Sequence, residues 1–130
     1  MPSSFLQKVK NDNVEIHARS VFMQGLILMG AANIPAHLKG LQSLIEGLEE
    51  EQKAQSLNLL ELAFLFILQQ QEIGSLVIGA QNAGQFVEIN QAYLFAKEKK
   101  EDVYINWTDY ACNDRVLVTP SCWQELKEGA

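Results

Sequence analysis

Basic clusters, cysteine frameworks and long apolar runs are all scarce in this chain. Ten Lys and Arg stand against sixteen Asp and Glu, a net charge of −6. Nucleic acid and anionic membrane surfaces are thereby disfavoured as partners, since phosphate binding needs clustered cations. The one basic cluster is Lys97, Lys99 and Lys100. It falls at the end of an expected helix, where cations complement the helix dipole. The two cysteines, Cys112 and Cys122, show no metal-ligand spacing and exclude a disulfide framework. The first ten residues carry no apolar signal-peptide segment, so a cytoplasmic location with reduced thiols is the expectation. On that expectation the glycosylation triplet Asn106-Trp107-Thr108 has no consequence. The most apolar run, Leu57 to Leu68, is too short to span a bilayer and contains Asn58 and Glu61.

Apolar residues make up 48% of the 130 residues, enough to fill the core of one domain. The order of elements follows from periodicity and punctuation. Ser3 or Ser4 caps a short helix to Lys10, which Asn11-Asp12-Asn13 ends. Val14 to Ser20 alternates, with Val14, Ile16 and Ala18 on an apolar face and Glu15, His17 and Arg19 on a polar one. His17 in that position reads as part of a small ion-pair network or a polar lumen. Ala36 to about Lys53 repeats leucine and isoleucine at helical spacing. Its carboxylates Glu46, Glu49, Glu50 and Glu51 read as a solvated helix end, because no His or Cys accompanies them. Ser56 is placed to cap a helix from Leu57 to about Gln70, apolar nearly all round and so buried on most sides. Ser75 to Gly79 is a short apolar strand of the kind a sheet covered on both faces requires. Asn82 caps the last clear helix, to about Lys97, with Phe86, Ile89, Tyr93 and Ala96 as its buried stripe. Tyr104, Trp107 and Tyr110 share a three-residue spacing, and with Trp123 they read as packing residues. Strands alternating with helices point to an α/β fold with parallel strands.

Two strand-to-helix passages carry chemistry. The first turn reads Arg19-Ser20-Val21-Phe22-Met23-Gln24-Gly25, followed by Leu26. The second reads Gly79-Ala80-Gln81-Asn82-Ala83-Gly84-Gln85-Phe86-Val87-Glu88-Ile89. In this order, with helices between, they resemble the turns after the last two strands of the aldo/keto reductases. There the seventh strand ends in a Tyr-Ser-Pro-Leu-x-x-Gly turn, and the eighth runs into Gly-Ala-x-x-x-x-Gln-x-x-Glu-Asn. The likeness spans Val14 to Ala92.

The resemblance implies a partial (β/α)8 TIM barrel: two parallel strands with flanking helices, forming one incomplete domain over residues 1–130. A closed barrel of this kind needs roughly 250 residues. It also implies nicotinamide dinucleotide, NADP or NAD, held by Ser20, Phe22, Gln24 and Gly25 in the first loop and by Gly79, Ala80, Gln85 and Glu88 in the second. Val21 replaces the family's proline and Ile89 its asparagine. No Lys or Arg stands in the second loop for a 2′-phosphate. The family's hydride transfer uses an Asp, Tyr, Lys and His set from the first four strands, and Tyr93, Tyr104 and Tyr110 do not match it. Two readings follow. One is a fragment of an NAD(P)H-dependent oxidoreductase that contributes the cofactor-binding loops. The other is a non-catalytic interaction or scaffold protein derived from that fold. Either leaves strand edges and apolar helices uncovered, so a partner is expected: the missing N-terminal half, or self-association.

Overall fold

The alternation at the first strand and the apolar run at the second bring the two together directly. In the computed structural model, which describes residues 3–19 and 21–129, β1 (His17–Ala18) and β2 (Ser75–Leu76) pair in parallel. His17 stands opposite Ser75, and Ala18 opposite Leu76. The Val77 N–H extends the ladder to the Ala18 carbonyl at 2.8 Å. Both strands are shorter than the sequence implied. Val14 is exposed, and only Ile16 and Ala18 of the expected apolar face are partly covered. Two strands offer each other one edge only, so the ladder ends where that edge does.

Five α-helices lie among the described residues: α1 (Ser3–Asn11), α2 (Gln42–Gln55), α3 (Leu59–Leu68), α4 (Ala83–Lys99) and α5 (Trp123–Glu128). The architecture is α/β and mostly helical. One core forms between α3 and α4, from Leu57, Leu62, Phe64, Leu65, Ile89 and Ala96. A second gathers Leu26, Ala31, Ile34, Leu38, Leu41 and Ile45, with Trp123 and Leu126 closing it. Helix α2 serves both, through Ile45 on one side and Leu48 on the other.

Three helix boundaries differ from the sequence reading. The expected helix from Ala36 is a 3-10 segment to Leu41 and becomes α-helical only at Gln42. Leu38 leaves helical geometry there, with φ −111° and ψ 15°. Gly40 adds little helix preference and lets Leu117 press against the backbone, where a Cβ would lie 2.7 Å from Leu117 Cδ1. Ser56 is not the cap of α3. It ends α2 in the left-handed region (φ 55°), and Asn58 caps α3 through a reciprocal pair of bonds with Glu61. The stripe on α4 is also displaced. Ile89, Ala92 and Ala96 are buried, whereas Phe86 is 61% exposed. Helix α3 is buried mainly through Leu62, Phe64 and Leu65, with Phe66 exposed.

The aromatics after α4 divide. The Trp107 indole meets Phe66 edge-on and donates to Gln69 Oε1 at 2.7 Å. Tyr104 is 85% exposed and shares no packed face with it. Gln69 also donates to the carbonyls of Lys100 and Val103, tying the C-terminal tail to α3. Among the described residues no helix is long and apolar enough to cross a membrane.

Candidate functional site

Parallel pairing puts the C-terminal ends of β1 and β2 side by side, so the two following turns open on one region. A cleft of about 400 Å³ lies there. Phe22 and Gly25 from the first turn line it, and so do Gly79, Gln85 and Glu88 from the second. Five of the eight residues expected at a cofactor site therefore meet in one place. Ala80 instead lines a larger cleft of about 690 Å³ that shares Ile78 and Ile89 with the first. Gln24 falls in the 3-10 segment Met23–Met29, and Ser20 lies outside the described residues.

Each turn is set by local chemistry. Gly25 takes φ +85°, and its N–H donates to the Phe22 carbonyl at 2.9 Å. That positive φ is the conformation glycine alone adopts freely. The Phe22 ring meets Phe64 edge-on at 5.5 Å, so it forms the cleft wall and also packs on the core. At Gly79 a side chain would meet nothing within 4 Å, which leaves the backbone open to a ligand. The Asn82 side chain accepts from Gln85 N at 2.8 Å and starts α4. The Gln85 carboxamide oxygen accepts from the Gln81 N–H, one residue short of the reciprocal box. The first-turn N–H groups of Ala83 and Gly84 take no partner among the described residues and point out of the helix N-terminus, as an anion requires.

The remaining walls were not visible in the motifs. Leu28 and Leu60 close the cleft from the 3-10 segment and from α3. Nothing local in the sequence signals this, because the contacts arise only when α3 packs under the first turn. Among the described residues Glu88 is the only ionisable side chain in the lining. With no Lys or Arg among the described residues of the lining, a phosphate would meet backbone N–H groups and the Gln81 and Gln85 carboxamides.

Comparison with protein-family models, curated proteins and solved structures finds no match. The chemistry of the site thus rests on its own geometry.

Several charged groups elsewhere have structural partners. His17 Nε2 lies 3.0 Å from Glu15 Oε1, and Ser75 Oγ donates to that same oxygen at 2.9 Å. The Ser75 hydrogen bond and then His17 hold the Glu15 carboxyl below its usual range. Glu15 thus joins the approach to β1 to Ser75 of β2, and His17 belongs to that small network. Of the four α2 carboxylates, Glu46 and Glu50 are exposed, whereas Glu49 accepts from the Ala31 N–H at 2.8 Å and Glu51 from the Tyr110 hydroxyl at 2.8 Å. No group of three or more His, Cys, Asp or Glu among the described residues could hold a metal.

Tyr110 is the most perturbed phenol. Its hydrogen bond to Glu51 stabilises the protonated form, partial burial and the nearby carboxylates add to this, and its pKa is pushed up to about 12. Ionisation would place a phenolate against a carboxylate. This tyrosine is thus held against proton donation. Because the folded value lies above the ordinary 10.0, the contact stabilises fully below that pH and is lost as pH rises through the folded value. A phenolate absorbance titration is expected to show one late-ionising tyrosine of the three, and Tyr110→Phe is expected to abolish that step. Survival of the late step in the variant would assign it to another tyrosine.

Proposed function

We propose that this chain is a part of an NAD(P)H-dependent oxidoreductase of the aldo/keto reductase type, an incomplete (β/α)8 barrel contributing the cofactor-binding loops after its last two strands. The observation that carries the reading is the single cleft at the C-terminal ends of two directly paired parallel strands, lined by both turns. Ligands in α/β barrels bind at that end of the strands.

The residues fit the adenosine half of a dinucleotide best. Glu88 can accept a hydrogen bond from an exocyclic amine, and apolar Leu28 and Leu60 offer a face for a base. Gly79 admits close backbone approach, and the Ala83 and Gly84 N–H groups can hold a phosphate oxygen. When bound, the nicotinamide group supplies or takes a hydride. This chain's part is to bind and orient the nucleotide, and it holds no matched Asp, Tyr, Lys and His set for the proton.

Titration of the labelled chain with NAD and with NADP, followed by amide NMR, tests the reading. Shifts are expected at Gly25, Gly79, Gln85 and Glu88. Glu88→Ala is expected to weaken binding about tenfold or more, the loss of one hydrogen bond to a charged group being worth roughly 1.5 kcal/mol or more. Absence of shifts at those four positions with either nucleotide would remove the cofactor assignment.

One observation favours the second reading, a non-catalytic interaction protein derived from the same fold. Helix α4 exposes Phe86, Val87 and Leu94, and Val77 beside β2 is 57% exposed. Large apolar side chains exposed in this number favour cover by a partner. The isolated chain is expected to self-associate as concentration rises in sedimentation velocity, and a monodisperse monomer at all concentrations would contradict this.

A further inference from the structure

The cleft that both turns line carries charge of one sign. Phe22, Leu28 and Leu60 supply apolar walls, and Gln81, Gln85 and Glu88 supply polar groups. Among the described residues Glu88 is its one ionisable side chain. Residues 1, 2, 20 and 130, outside the described range, include no Lys or Arg. Arg19 leads into the first turn, yet it is exposed and stays out of the lining. None of the ten Lys and Arg of the chain lines the cleft.

Helix α4 sets the spacing. Gly84 and Glu88 lie one turn apart on the same face, about 6 Å along the axis. An adenosine whose phosphate meets the Ala83 and Gly84 N–H groups, and whose base lies against Leu28 and Leu60, seats its ribose within that turn. The 2′ carbon is bonded to the carbon that bears the base, so the 2′ oxygen lies between the helix N-terminus and the Glu88 carboxylate. A carboxylate there can accept from the exocyclic amine or from a ribose 2′-hydroxyl. A 2′-phosphate instead brings about two further negative charges. It would meet the carboxylate and leave water for apolar walls, with no cation to offset the loss. The Gln81 and Gln85 carboxamides can donate hydrogen bonds but carry no charge.

We propose that this cleft selects NAD over NADP, and that Glu88 is the residue that excludes the 2′-phosphate. The inference rests on the nucleotide reading above and adds to it which dinucleotide the chain accepts. Glu88 is exposed, so water and salt screen the repulsion, and a preference of about tenfold for NAD is expected.

The test titrates the labelled full chain with NAD and with NADP at one ionic strength and reads the dissociation constants from the Gly79 and Gln85 amides. NAD is expected to bind about tenfold more tightly. Glu88→Gln removes the charge and keeps an acceptor, so the ratio between the nucleotides should shrink to about threefold or less. Gln81→Arg sets a cation in the lining and should reverse the preference. Both positions are exposed, so the far-ultraviolet circular dichroism of each variant should match the parent's. Arg19→Ala should leave the ratio unchanged. NADP binding as tightly as NAD, or more tightly, with shifts at those amides overturns the proposal and leaves the nucleotide reading standing. A ratio unmoved by Glu88→Gln or by Gln81→Arg does the same, as does one that rises in Arg19→Ala. No shift with either nucleotide removes the reading and the proposal together.

Discussion

Replacing Phe64 by alanine is expected to destabilise the chain by about 3–5 kcal/mol, the range for truncating a fully buried phenylalanine. Phe64 is 1% exposed and lies at the centre of the core between α3 and α4. Its ring meets Phe22 at 5.5 Å and Tyr93 at 5.6 Å, both edge-on. Such pairs contribute beyond area burial. The loss is a large fraction of the roughly 5–15 kcal/mol that holds an ordinary domain folded. It also reaches the cleft, since Phe22 belongs to the first turn and Tyr93 to α4. Urea unfolding at fixed protein concentration measures the effect, the concentration being held because association shifts apparent stability. Phe66→Ala is the control: that ring is 40% exposed, and roughly 1 kcal/mol is expected from the lost edge-on contact with Trp107. Equal midpoint shifts for the two variants would show that Phe64 is not the keystone of this core.

Gly30→Ala is the second large effect, at about 2–4 kcal/mol. Gly30 takes φ 81° and ψ 153°, a combination open almost to glycine alone and costing another residue about 1–3 kcal/mol. A Cβ there would also lie 3.1 Å from Glu49 Oε1. That oxygen accepts the Ala31 N–H at 2.8 Å, pinning the 3-10 region to α2. The methyl group would displace the carboxylate and leave the amide unpaired, a further cost of roughly 1 kcal/mol. Gly25→Ala separates the two contributions. Gly25 also has positive φ, yet a side chain there meets nothing within 4 Å. It is expected to lose the backbone part alone, about 1–2 kcal/mol. A Gly30 variant no worse than the Gly25 variant would remove the role given to Glu49.

The comparison between sequence and structure divides along the range of the interactions. Short-range signals read well. Asn82 starts α4 as its side chain dictates, and the breaker Asn11-Asp12-Asn13 ends α1. Helix capping was misplaced at Ser56 because both Ser56 and Asn58 are competent caps. Only the reach of Glu61 back to the Asn58 N–H decides between them. Periodicity placed Phe86 on the buried stripe of α4, but a stripe is buried only where a neighbour covers it. Helix α3 covers Ile89, Ala92 and Ala96 and stops short of Phe86.

The site shows the same division. The motifs named the two turns, and five of their eight residues share the cleft. They did not reveal Leu28 or Leu60, nor that Ala80 lines the larger cleft instead. Composition, helix starts and the alternation of short strands are written into the sequence, because each depends on residues a few positions apart. The parallel register of His17 with Ser75 and the bond that holds the Tyr110 proton join residues about sixty positions apart. Distances of that kind are fixed by how the helices pack, and only the tertiary structure decides them.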